Sequence, residues 1–303
     1  TETTGNGNVA IGYEALKVCL TDNNTAVGLQ ALTACTTGGA NTAVGDGALE
    51  STTTGDDNVA IGRNALEGNT TGSKNHGIGR QALYLNTTGS DNVAVGYQAL
   101  YNNTTANDNV ATGYFALHSN TTGTSNTAIG HYALEDADSS WNTAVGDLTM
   151  ANCTTGHNNT AVGHNAMAGG VLTGTHNNAF GVNALNNLTT GTYNTAVGHL
   201  AGYDLTTASA NTLIGRNAGE NITTGGSNTC IGGMDAGKNI TTGAHNTMIG
   251  RASGTSSSPS GSITTEDYRV CIGSNSITNC YIKVDWTVTS DRRDKTDIEP
   301  FNH

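Results

Sequence analysis

Asn41-Thr42-Ala43-Val44-Gly45 is followed by Asn58-Val59-Ala60-Ile61-Gly62, then by Asn75-His76-Gly77-Ile78-Gly79 and Asn92-Val93-Ala94-Val95-Gly96. This five-residue box recurs along nearly the whole chain. It closes on Gly12, Gly28, Gly45, Gly62, Gly79, Gly96, Gly113, Gly130, Gly146, Gly163, Gly181, Gly198, Gly215, Gly232 and Gly250. The fourteen intervals average 17 residues and none departs from that by more than one. A fixed period of this kind is the signature of a repeat architecture and takes precedence over local propensity.

Each place in the unit has its own chemistry. Ile or Val precedes the glycine, with Thr112 and Phe180 as exceptions, and the residue before that is nearly always Ala. Three and four residues past the glycine comes Ala-Leu, as in Ala48-Leu49 and Ala65-Leu66. A Thr-Thr-Gly turn such as Thr53-Thr54-Gly55 closes the unit. Seventeen residues are too few for two helices or a propeller blade but suit one coil of a solenoid. The reading is an all-β, parallel β-solenoid (β-roll) of about 15 coils. Each coil is expected to carry two short strands, one in the box and one after Ala-Leu, with glycine taking the positive φ at the corners. Stacked coils set ~4.8 Å apart make a rod of roughly 70 Å with identical residues in ladders.

Composition agrees. Gly is 41 of 303 residues, charged residues are 12% and Pro numbers only 2. A helical chain would not tolerate so much glycine, and a disordered one would carry more charge and proline. The net charge of −12 argues against a nucleic-acid partner, which needs a basic footprint. No apolar run approaches the ~18 residues of a membrane-inserted span. No secretory leader is recognisable and the chain starts at Thr1 in mid-pattern, which reads as a mature piece or a segment of something longer.

The expected interior is thin: one Ile/Val, one Leu and two Ala per coil. Burying two large side chains gives a few kcal/mol at ~25 cal/mol per Å², whereas ordering each backbone residue costs on the order of 1 kcal/mol. A second burial surface is therefore expected, and the small repeated Ala is the place where another chain would approach.

Asn-Thr-Ala-Val-Gly and Asn-Val-Ala-Ile-Gly, repeated in register over about residues 5–254, resemble the head repeats of trimeric autotransporter adhesins. The resemblance implies a left-handed β-roll and a homotrimer packed around a three-fold axis. The period departs from that family, whose repeats are usually a few residues shorter. From Gly198 onward Ala-Leu becomes Ala-Gly (Ala201-Gly202, Ala218-Gly219, Ala236-Gly237), which predicts a narrowed or reshaped rod. The division expected is a repeat shaft or head over 1–254, a linker over 255–262, a small distinct C-terminal β segment over 263–289, and a last piece over 290–303.

That last piece, beginning Ser290-Asp291-Arg292-Arg293-Asp294-Lys295, is similar to the opening of the intramolecular chaperone domain of phage tail spikes and fibres, endosialidases among them. The resemblance implies Ser290 as nucleophile of self-cleavage and Lys295 as its activating base. Asp294 departs from the Leu usual there. With 14 residues of the domain present, no self-cleaving activity is expected of the chain as given.

Among the other residues, Cys19 and Cys35 occupy equivalent places in consecutive coils, within disulfide range; a bridge and two buried thiols are both open. Cys271 and Cys280 are placed to pair across the tail strands, while Cys153 and Cys230 have no evident partner. No Cys-x-x-Cys exists, so no metal site is expected. No Gly-Lys-Ser/Thr follows a glycine loop, so neither a phosphate cradle nor any cofactor is expected. The nine histidines read as surface decoration. Sequons at Asn69, Asn86, Asn103, Asn120, Asn152, Asn187, Asn221 and Asn239 are expected on exposed turns, either as ordinary corner residues or as sites of a regular glycan coat.

The leading functional expectation is a structural, adhesive, extracellular protein. It would be a trimeric shaft or distal tail fibre of a phage-like virion, acting in host attachment. Its partners would be a host-surface glycan or protein receptor and other virion or fibre proteins. A bacterial surface adhesin or fibril is the alternative. An ice-binding solenoid is disfavoured because adjacent Thr-Thr point to opposite sides. A glycan-degrading spike is disfavoured because Glu14, Glu50, Glu67, Glu135 and Asp147 look dispersed, so no enzyme is expected.

Overall fold

The computed structural model describes residues 5–279. It contains β1 (Val9–Ile11), β2 (Thr25–Val27), β3 (Thr42–Val44), β4 (Val59–Ile61), β5 (His76–Ile78), β6 (Val93–Val95), β7 (Val110–Thr112) and β8 (Thr127–Ile129). These are followed by β9 (Thr143–Val145), β10 (Thr160–Val162), β11 (Asn178–Phe180), β12 (Thr195–Val197), β13 (Thr212–Arg216), β14 (Thr229–Met234), β15 (Thr247–Ile249) and β16 (Val270–Ile272). All sixteen lie in one parallel sheet in chain order, so each is the box strand of one coil of a β-solenoid. Register is strict: Ala43 pairs with Ala60 and Val44 with Ile61, one repeat apart.

The box asparagine holds coils together from inside. Asn41, fully buried, accepts the backbone N–H of Asn58 through Oδ1 at 2.9 Å and donates through Nδ2 to the Gly55 carbonyl at 2.9 Å. A buried amide whose donor and acceptor are both used stabilises the stack, and one left unpaired would cost it. The box glycine is a steric requirement. Gly62 has φ +134°, and a Cβ there would sit 2.6 Å from the Gly79 carbonyl oxygen of the next coil.

Among the described residues the expected second strand does not form. After the box glycine the chain instead makes a corner in which non-glycine residues take positive φ: Asn64 (58°), Leu66 (53°), and Asp57 (58°) ahead of the box. These conformations cost an L-residue roughly 1–2 kcal/mol each. They are held because each N–H is bonded to a neighbouring coil: Asn64 to Asp46 O at 2.8 Å, Leu66 to Ala82 O at 2.9 Å, and Asp57 to Gly39 O at 3.1 Å. The corners thus make the inter-coil bonds that a second sheet would have made, and glycine does not monopolise the positive φ as expected.

The core is a continuous column of the mid-strand Ala, the Ala-Leu pair, and a residue seven past the glycine, nine past at Leu172 and eight past at Ile240. That last rank changes character along the rod. It reads Cys19, Cys35, Thr52, then Asn69, Asn86, Asn103 and Asn120, then Ala137 and Cys153, and after that Leu172, Leu188, Leu205, Ile222 and Ile240, all fully buried. The Asn run is a second amide ladder: Asn86 Nδ2 donates to Asn69 Oδ1 at 2.9 Å and Asn103 Nδ2 to Asn86 Oδ1 at 2.8 Å. It ends at Asn120, whose Oδ1 faces the Ala137 level without a partner.

The loss of Leu after Gly198 does not leave a hollow. Mid-strand Ala is replaced by Leu213, Cys230 and Met248, all fully buried. A Cβ at Gly202 would lie 2.7 Å from Leu213 Cδ1, and one at Gly219 2.7 Å from both Leu213 Cδ2 and Ile222 Cδ1. Volume removed from one wall is returned from two others, as close packing demands.

Residues 263–279 also differ from the distinct segment expected. Val270–Ile272 pairs with Thr247–Ile249 in register as one more rung. The Ser-rich stretch after Gly254 folds into turns that lengthen the preceding coil, with Thr255 Oγ1 donating to Ala252 O at 2.7 Å and Ser258 Oγ to Thr255 O at 2.8 Å.

Candidate functional site

The strand triplet fixes which side chains meet the outside. From β2 onward its middle residue points inward and is buried, while the third points out; in the terminal β1 all three are exposed. Val44, Ile61, Ile78, Ile129, Phe180, Val197, Ile214, Ile231 and Ile249 each keep 36–42% of their surface exposed. Ile/Val therefore line the exterior, and the small Ala belongs to each chain's own interior rather than to a contact between chains. Gly77 shows the reason. A Cβ at this mid-strand position already meets Leu66 Cδ1 at 3.2 Å, so the Leu reaching across from the corner leaves room for a methyl and nothing larger. The result is one file of large apolar side chains along sixteen rungs, interrupted at Thr112, with Thr or Val two residues earlier on the same face except at His76 and Asn178. Contiguous exposed apolar surface is the kind through which proteins associate.

A second surface feature sits in the middle of the rod. Tyr84, Tyr101 and His118 stack at 5.0 and 5.2 Å between centroids, and Tyr97 stacks on Tyr114 at 5.2 Å with His131 next at 5.4 Å. Phe115 lies 4.6 Å from both Tyr114 and His118, and Arg80 Cζ lies 5.8 Å from the Tyr97 ring. Burial pushes the His118 imidazole below its ordinary value against the pull of Asp136. These residues were legible only as offsets: Tyr84, Tyr101 and His118 each fall five past a box glycine, and Tyr97, Tyr114 and His131 each fall one past. They are an organised ladder, not scattered decoration.

Glu50 and Glu67 likewise come onto neighbouring coils at a shared offset. Burial first, and then the Glu50 charge, raises the Glu67 carboxyl, against a Tyr84 hydroxyl that donates to it at 3.4 Å. Asp138 serves the backbone. It lies in the short coil between Gly130 and Gly146, and its Oδ1 accepts from the preceding coil the N–H of Thr121 at 3.0 Å, Thr122 at 2.8 Å and Gly123 at 3.2 Å. In other coils a threonine carbonyl does this, as Thr53 O does for Thr36 and Thr37. Burial raises the Asp138 carboxyl, but these bonds and those from the threonine hydroxyls outweigh it and hold the group below the usual carboxylate range.

The sequons divide. Asn69, Asn86, Asn103 and Asn120 are fully buried in the second amide ladder, which corrects the expectation of exposed turns. Their Nδ2 atoms are spent, as in Asn69 to Gly72 O at 3.0 Å, so a glycan there is incompatible with the closed coil. Asn152 is exposed, and Asn187, Asn221 and Asn239 are half-buried. Cys19 and Cys35 are brought together, Sγ to Sγ 2.8 Å. Cys271 is buried beside the Gly254 N–H; burial raises its thiol, but hydrogen bonds from Ser260, Ser258 and Gly254 more than offset this. Cys280, Ser290 and Lys295 lie outside the described residues. Among the described residues no group of three His, Cys, Asp or Glu is placed to hold a metal ion, and no helix is long and apolar enough to cross a membrane.

Fold and surface define a parallel β-solenoid repeat protein with one outward apolar file. Comparison of the chain with family models, curated proteins and solved structures finds no match.

Proposed function

We propose that the chain is a structural and adhesive fibre protein. In this reading three copies bury their Val/Ile files against one another around a common axis and form a stiff extracellular rod. The rod belongs to a phage-like tail fibre, or to a bacterial surface fibril of the same build, and works in attachment to a host surface. The observation that carries this reading is the unbroken register that sets Ile61, Ile78, Val95 and their equivalents outward rung after rung. The mechanism is geometric: length sets reach, and three-fold repetition multiplies weak contacts into avidity. Catalysis has no part in it, and the resemblance at Ser290 and Lys295 assigns those residues to a maturation step of the parent fibre.

The ice-binding alternative gains nothing. The first Thr of each turn spends its hydroxyl on the next coil, as Thr53 Oγ1 does on Thr70 O at 3.1 Å. Immuno-electron microscopy of the particles or cells that make the chain tests the proposal. Label on slender external projections is expected, and label confined to the cell interior would overturn it.

A further inference from the structure

The rank seven past the box glycine is where this rod varies its inter-coil fastening. Asn69 to Asn120 fasten consecutive coils by amide bonds, and Leu172 to Ile240 by apolar contact. In the first two coils the same rank holds a thiol above a thiol. Cys19 and Cys35 are both fully buried and their sulfurs are 2.8 Å apart, closer than a comfortable non-bonded sulfur pair. Parallel rungs are ~4.8 Å apart, inside the 4.4–6.8 Å that a disulfide needs between Cα atoms.

We propose that Cys19 and Cys35 are joined by a disulfide that replaces, in these two coils, the amide rung used further along. The proposal rests on coil geometry alone and stands whether or not the rod is a surface fibre.

The oxidant is a small-molecule disulfide of the glutathione class. One cysteine thiolate attacks it, forming a mixed disulfide and releasing one small thiolate. The second cysteine then attacks the protein sulfur, closing the Cys19–Cys35 bond and expelling the other. Two electrons pass to the oxidant, and the two cysteine protons end on the two released thiols. Closure belongs to the folding chain. Once the coils have stacked neither sulfur reaches solvent, and burial pushes the Cys35 thiol up to about 12, where thiolate is scarce at neutral pH. The same burial shields the finished bond from reductants. Cys153 is an internal control: it occupies the same rank between Ala137 and Leu172, has no second thiol above or below it, and remains a thiol pushed up to about 11.

The test is peptide mapping of the full chain refolded in a mixture of reduced and oxidised glutathione, alkylated without reduction and cut with trypsin. Cleavage after Lys17 and Arg63 releases residues 18–63, which contain only these two cysteines. The expected peptide is unalkylated and two hydrogen masses lighter than the dithiol. Reduction before alkylation then adds two alkyl groups. A peptide alkylated twice without reduction, or either cysteine found joined to another peptide, overturns the proposal. As a second reading, hydrogen exchange at the Leu16 and Leu20 amides, which bond to the next coil, should quicken roughly a hundredfold when the bond is reduced, the scale expected for a loop of this length. Unchanged exchange overturns the fastening role.

Discussion

Asn92 accepts the backbone N–H of Asn109, one repeat away, through Oδ1 at 3.0 Å, while its own Nδ2 donates to the Ala106 carbonyl at 2.9 Å. One buried side chain thus satisfies two backbone groups that water cannot reach. Asn92→Ala strands both, and at about 1–3 kcal/mol per buried unpaired group it should cost about 3 kcal/mol, read as a lower midpoint in a denaturant titration followed by circular dichroism. A midpoint equal to the parent's would show that the ladder is not load-carrying in the stack.

Gly62→Ala should cost at least about 3 kcal/mol. It places a Cβ 2.6 Å from a backbone carbonyl that cannot swing away, at φ +134°, where strain and overlap add. The same change at Gly233, which has nothing within 4 Å, should be nearly silent. The pair of variants separates steric need from glycine content.

The exchange of volume near the end of the rod predicts a coupling. Gly202→Leu alone should overpack by about 1–3 kcal/mol, because Leu213 and Leu185 fill the space. Adding Leu213→Ala restores the combination found in earlier coils, where a corner Leu precedes a strand Ala by the same eleven residues, as Leu49 precedes Ala60. The double variant should be more stable than Gly202→Leu, and a double-mutant cycle reads the difference. Simple additivity would contradict the compensation.

Asp138 gives a pH dependence. Its folded-state pKa is depressed, so its stabilisation is full above the ordinary carboxylate value of about 4 and is lost as the pH falls through the folded value. Asp138→Ala should therefore lower stability at pH 7 by about 1 kcal/mol, a modest figure because the carboxylate is exposed and screened. Melting curves of variant and parent should converge on acidification; a gap that stays constant would assign the effect to something other than this carboxylate.

Much of the architecture was legible in the period. Fourteen near-equal intervals fix parallel stacking, the place of the asparagine ladder and the juxtaposition of Cys19 and Cys35. The inside of the strand was not legible. Alternation puts Thr42 and Val44 on one face and Ala43 on the other, but it does not say which face is interior. Hydropathy favours Val44, whereas the Leu crossing from the corner leaves only a methyl's worth of room and decides for Ala43. The corner was hidden for a similar reason. Leu66 at φ 53° contradicts leucine's own preference, and only hydrogen bonds to the adjacent coil hold it there. The Tyr84–Tyr101–His118 ladder was present in the offsets and is invisible to a reading that asks only what the typical repeat contains.

The most direct test of the central claim is the mass of the native assembly in solution, measured by light scattering. Three outward Val/Ile files sharing one interior predict a particle of about three times the 30.8 kDa chain. A particle of one chain's mass, with Ile61 and its equivalents left in water, would contradict it.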